Sequence, residues 1–87
     1  MKKYVIKEVT YNLNDPSEHH DALYWGKPRR VWDSPEYCEG FKSAAYAERA
    51  IQKDIDESPL SERIGTHAAI ENKTYIRLLS VVEIEQD

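Results

Sequence analysis

The spacing of apolar and polar positions changes several times along the chain, and each change predicts an element. Residues 3–11 contain Tyr4, Val5, Ile6, Val9, Thr10 and Tyr11, interrupted by charges. Side chains of this β-branched and aromatic kind favour a strand. Apolar groups fall on both of its faces, which places it inside a sheet and not at a clean edge. Asn12-Leu13-Asn14-Asp15-Pro16 breaks the pattern. Asp15-Pro16-Ser17-Glu18 then reads as a helix start, with Asp as cap, Pro at the first position and Glu at the third. That helix has to be short, because Leu23-Tyr24-Trp25 looks like strand and Gly26-Lys27-Pro28 like a turn. Residues 29–32 read as a brief return strand. A second short helical turn is expected after Ser34-Pro35, ending before Gly40.

The clearest pattern spans residues 41–57. Ala44, Ala47, Ile51 and Ile55 recur at helical spacing, with Tyr46 and Ala50 beside them. Glu48, Arg49, Gln52, Lys53 and Asp56 form the wet side. Ser43 is the expected cap, and Ser58-Pro59 the stop. Residues 64–70 read as one strand. Glu71-Asn72-Lys73-Thr74 reads as a tight turn, since Asn tolerates a left-handed backbone. Residues 75–85 form the last and longest strand. Ile76, Leu78, Val82 and Ile84 alternate onto one face, with Ser80 among them, while Leu79 and Val81 fall on the other. A bulge or burial of both faces is therefore expected near its middle. Together these elements predict an α+β fold: a small antiparallel sheet of about four strands with one main helix packed on one face. Residues 1–87 form a single domain in this reading.

The length limits what such a fold can hold. A domain of this size buries only about 60% of the surface its unfolded chain exposes, so a deep catalytic pocket is not expected. The net charge is −4, from 12 Lys+Arg against 16 Asp+Glu. An excess of acid argues against general affinity for nucleic acid or an anionic membrane. The amino terminus lacks the apolar stretch of a signal peptide, and no apolar run is long enough to span a membrane, so a cytoplasmic location is expected. In that setting Asn72-Lys73-Thr74 is a turn and not a glycosylation site. Cys38 is the single cysteine, so no internal disulfide forms, and it is read as a buried or half-buried structural residue.

His19-His20-Asp21, with Asp15 and Glu18 close by, is the first cluster with chemical potential. A metal needs three or four convergent ligands, and adjacent histidines point in different directions on a helix or a strand. No metal and no catalytic residue is therefore assigned. Gly26, Gly40 and Gly65 stand alone and form no phosphate loop, so no cofactor is expected. The more informative stretch is Trp25-Gly26-Lys27-Pro28-Arg29-Arg30-Val31-Trp32, which sets three cations and two indoles in eight residues. Trp and Arg dominate interface energetics, which makes Trp25, Lys27, Arg29, Arg30 and Trp32 the expected binding residues. The same groups stack on bases and grip phosphate, so single-stranded nucleic-acid binding is the alternative. Glu83, Glu85 and Asp87 share a face of the last strand; they either guard an edge or form an acidic contact stripe.

At Tyr4-Val5-Ile6-Lys7-Glu8-Val9, Phe41, Ala44-Ala45, Ala47-Glu48 and Ala50-Ile51 the chain resembles a loose class of short phage and prophage proteins, including some small anti-CRISPR-type inhibitors. The shared pattern is an opening strand, a hairpin bearing Tyr and Trp, Phe before an Ala-rich helix, and terminal strands. The resemblance implies a phage or mobile-element origin and a protein that modulates or inhibits a host protein. Its motifs are core-forming residues, so no functional residue is carried over. The resulting expectation is a small acidic protein-binding module that is not an enzyme.

Overall fold

The computed structural model describes residues 1–18 and 20–86. The elements are β1 (Lys2–Asn12), β2 (Leu23–Trp25), a 3-10 turn (Pro35–Tyr37), α1 (Ala44–Glu57), β3 (Ser61–Gly65), β4 (Ala68–Glu71) and β5 (Tyr75–Glu85). The strands form one antiparallel sheet in the order β2-β1-β5-β4-β3. The Cα extents are 42 × 25 × 18 Å, and the smallest has room for two layers but not three. The α+β architecture with one helix on the sheet is the expected one; the sheet has five strands where about four were expected.

The extra strand comes from residues 64–70, which turn back on themselves instead of running straight. The carbonyls of that turn are held by side chains, one from the helix and one from the turn's own strand. Gln52 Nε2 donates to the Thr66 carbonyl at 2.7 Å, and Arg63 Nη1 donates to the Gly65 and Thr66 carbonyls, each at 3.2 Å. The β3–β4 register shifts between Arg63 and Gly65, leaving Ile64 outside the ladder and 51% exposed. The 71–74 turn follows expectation. Asn72 and Lys73 take φ of 51° and 58°, the left-handed pair that suits the twist of a hairpin, and the Thr74 N–H closes it onto the Glu71 carbonyl.

Residues 15–18 form a turn and not a helix. Asp15 Oδ1 accepts from the Ser17 N–H at 3.2 Å and from the Ser17 hydroxyl at 2.6 Å. The capping chemistry is present, but no apolar stripe follows for a helix to bury, and capping alone does not sustain one. The return strand at residues 29–32 shrinks to a single bridge, in which Tyr24 and Trp32 exchange two backbone hydrogen bonds of 2.8 Å. Ser34 occupies the cap position of the 3-10 turn, but its side chain makes no capping bond.

Helix α1 begins as read, with Ser43 Oγ accepting from the Tyr46 N–H. It buries Ala47, Ile51 and Ile55 against Ile6, Trp25, Ala69 and Leu79, with Tyr4, Phe41, Ala50 and Val81 at the margin. Ala44 was expected in this stripe, but it is exposed in the first turn, N-terminal to the residues that lie on the sheet. β1 and β5 pair without interruption from Lys2↔Glu85 to Asn12↔Tyr75. The middle of β5 is therefore unbulged, and both of its faces carry apolar groups. Arg77, Leu79 and Val81 look toward the helix, although Ile76, Leu78, Val82 and Ile84 are the longer apolar series. On that reverse side Lys3 Nζ donates to the Glu36 and Cys38 carbonyls, so the 36–38 stretch covers one end. Farther along, Tyr11 and Leu78 are 51% and 42% exposed.

Ile51 is fully buried at the centre of the helix–sheet contact. Ile51→Ala is expected to cost about 2–5 kcal/mol. Equilibrium urea unfolding measures this, and an unchanged midpoint would remove the helix from the core.

Candidate functional site

The loop after β2 sends its side chains in three directions, and this divides the expected binding residues. It leaves β2 at Gly26, where a Cβ would lie 1.7 Å from the Glu39 carbonyl oxygen. Only glycine permits that approach, which lets the Lys27 N–H bond the same carbonyl at 3.0 Å. The Lys27-Pro28 peptide is cis.

Trp25 and Arg29 point to the helix side and join a network of charges. At its centre is Arg77, which is 4% exposed on β5. Its Nη2 donates to Glu8 Oε1 of β1 at 2.7 Å and to Asp54 Oδ2 of α1 at 2.6 Å, while its Nε lies 3.6 Å from Glu71 Oε2 of β4. Arg29 donates from Nε to Asp54 Oδ1 at 2.9 Å, and its Nη2 is 3.8 Å from Glu8. The Arg29 guanidinium also lies 4.7 Å from the centre of the Trp25 ring, a cation–π distance. The indole N–H of Trp25 donates to Glu8 Oε1 at 3.3 Å. Burial works against the charge on Arg77, but its hydrogen bonds to Glu8 and Asp54 outweigh that and push its pKa up. Arg77 is therefore held in its cationic form. Trp25 is 3% exposed and belongs to the framework, whereas Arg29 is held by Asp54 with 46% of its side chain exposed.

Arg30 and Trp32 point the other way. With Pro28, Tyr37 and Glu39 they line a shallow hollow of about 100 Å³. The Trp32 and Tyr37 rings are 5.6 Å apart at 39°, and they are 37% and 63% exposed. Val31 beside them is 47% exposed. Tyr37 was not among the expected binding residues. The 3-10 turn brings it to Trp32, and the Ser34-Pro35 signal foretold that turn without its direction. Lys27 takes a third course, into a hollow with Phe41, Lys42, Tyr46 and Lys53.

The remaining candidates are dispersed. His19 lies outside the described residues. His20 pairs with Glu18 at 2.8 Å and sets its ring edge-on to Tyr75, and Glu18 is shifted to lower pKa by the hydrogen bonds from His20 and Asn12. Among the described residues no three side chains of metal-ligating type gather in one place. In the terminal strand, Glu83 pairs with Lys2 at 3.3 Å and accepts from the Tyr4 hydroxyl, which partly neutralises the acidic stripe; Asp87 lies outside the described residues. Cys38 is buried, and burial pushes its thiol pKa up against the pull of Lys3. No protein-family model matches the chain, and no curated protein or solved structure matches it either.

Two outcomes follow from this geometry. Arg77→Met leaves Glu8 and Asp54 with only Arg29 between them, and a loss of about 3 kcal/mol in chemical denaturation is expected. Replacing Glu8 and Asp54 by Leu in the same chain is expected to return much of that loss, which separates an unmet charge from simple loss of packing. For Cys38, a raised folded pKa stabilises the fold below the thiol's unfolded pKa, and this contribution is lost as pH rises through the folded value. Alkylation near pH 8 is expected to be slow in the native protein and fast in denaturant. Equal rates would place the thiol at the surface.

Proposed function

We propose that the chain is a protein-binding module, of phage or mobile-element origin, that modulates or inhibits a host protein. The observation that carries the binding reading is the exposed corner formed by Arg30, Val31, Trp32 and Tyr37. Aromatic and Arg side chains grouped at a surface are the composition of an interface centre. The two rings are ordered against each other before any partner arrives, which lowers the entropy lost on binding. The origin and the regulatory role rest on the pattern resemblance alone. A non-enzymatic role belongs to the same proposal and is supported by the charge network, whose carboxylates are already occupied by Arg29 and Arg77.

The test is affinity capture from nuclease-treated host lysate, comparing the wild-type chain with Arg30→Ala/Trp32→Ala/Tyr37→Ala. A specific partner is expected with the wild type, and its affinity is expected to fall by about 2 kcal/mol or more in the variant, with little change in melting temperature. Recovery that depends on nucleic acid would favour the single-stranded nucleic-acid alternative. Capture that persists undiminished in the variant would move the contact surface elsewhere.

A further inference from the structure

The helix flank opposite this aromatic corner carries a concentration of positive charge that the composition gives no hint of. Lys27, Gly40, Phe41, Lys42, Tyr46 and Lys53 line a surface hollow of about 570 Å³. Its neighbour, about 290 Å³, shares Lys27, Phe41 and Lys53 and continues to Trp25 and Arg29. No carboxylate lines the larger hollow, although the chain carries 16 Asp+Glu against 12 Lys+Arg. Among the described residues no ion pair or side-chain hydrogen bond engages Lys27, Lys42 or Lys53. Other cations of the chain do find acidic partners, including Lys2, Arg29, Arg63 and Arg77. Three unpaired ammonium groups thus meet at one concavity, drawn from the loop after β2, from the residue before the α1 cap and from the helix itself.

Two further features bear on the charge and shape of a ligand. The first turn of α1 carries no acidic residue, so the positive end of a 14-residue helix adjoins the hollow without being neutralised. The walls are aromatic. Tyr46 is 55% exposed, with the Arg49 guanidinium 5.5 Å from its ring centre, and Phe41 is partly buried against the core. Of the carboxylates in the adjoining hollow, Asp54 is taken up by Arg29 and Arg77, while Glu57 lies one helical turn beyond Lys53.

We infer that this hollow binds a small phosphorylated ligand of nucleotide size, its phosphates met by Lys27, Lys42 and Lys53 and its planar base placed against Tyr46 and Phe41. The hollow is open to the surface, and its volume lets a ligand of nucleotide size lie along it. Lysine serves phosphate as a point charge, and an exposed aromatic ring accepts a base by stacking. A free ligand suits the hollow better than a long strand. Beyond it the adjoining hollow brings in the carboxylates Asp54 and Glu57, and the chain as a whole carries −4, which repels an extended polyanion. The inference stands apart from the protein-binding proposal, because Arg30, Trp32 and Tyr37 take no part in it.

The test is titration of the ¹⁵N-labelled chain with adenosine triphosphate at low salt and without divalent cations, followed by amide shifts. Saturable shifts at Lys42, Tyr46 and Lys53 are expected, with binding weakened about tenfold or more in Lys42→Ala/Lys53→Ala and unchanged in Arg30→Ala. These lysines hold nothing in place, so the double variant is expected to keep the wild-type amide spectrum elsewhere. Absence of saturable shifts, or an affinity indifferent to the lysines, would overturn the site. Tripolyphosphate binding as tightly as the nucleotide would overturn the role of the base. A ten-nucleotide deoxythymidine strand binding more than about tenfold tighter, or an oligoglutamate peptide competing on equal terms, would overturn the small phosphorylated ligand.

Discussion

One guanidinium ties the two layers together. Arg77 rises from β5 into the helix–sheet interface and is shared by a carboxylate from β1 and another from α1. Apolar contact between Ile51, Ile55, Leu79 and Ile6 supplies attraction without direction, and a helix resting on such a surface could rotate or slide at small cost. A buried cation with two hydrogen-bonded acids admits few positions, because any shift leaves a desolvated charge unmet. Asp54 therefore sets where along its axis the helix stops, and Glu8 sets the place on the sheet where it does so. Arg29 and Trp25 close the same network from the loop side, so the loop geometry is coupled to the position of the helix.

That coupling explains how the surface is divided. The helix is held down along one flank, and the loop beside its C-terminal half is anchored by Arg29 on one side and by the Tyr24–Trp32 bridge on the other. Between the anchors the chain changes partner at one step. Arg29 reaches Asp54 on the helix, whereas Arg30, Val31 and Trp32 stay at the exposed corner. The aromatic corner is a product of this loop, and the lysine-lined hollow takes Lys27 from it.

Much of the framework was legible in the residues. The opening and closing strands, the helix with its Ser43 cap and the left-handed turn at Asn72 each follow from a local signal strong enough to stand alone. The features that were missed depend on distant partners. The turn at residues 66–67 has no diagnostic dipeptide and is held by Gln52 and Arg63. The ion network joins residues 8, 54 and 77, and only the alternation of Arg77 with Leu79 and Val81 marked it as inward-facing. Residues 25–32 stand out by residue type, but type and proximity do not reveal direction. Of the five expected binding residues Trp25 is buried in the core and Arg29 is held by Asp54 while exposed, and Tyr37, which completes the exposed corner, could not be placed without the fold. The lysine hollow was invisible for the same reason, since its cations come from three separate segments of an acidic chain.

The anchoring of the loop at both ends has a consequence for how this chain can change over generations. Surface connections ordinarily absorb insertions and deletions more readily than the elements they join. Here the segment between Gly26 and Trp32 is fixed at both ends, by the Gly26–Glu39 approach and by the Tyr24–Trp32 bridge, with Arg29 held by Asp54 in between. A single added or lost residue would move Arg29 off Asp54 or break the bridge. Substitutions at the outward positions would leave the ion network intact. The length of this loop is therefore under tighter constraint than its exposed residues, and divergent descendants of the chain should keep the count while varying the outward side chains.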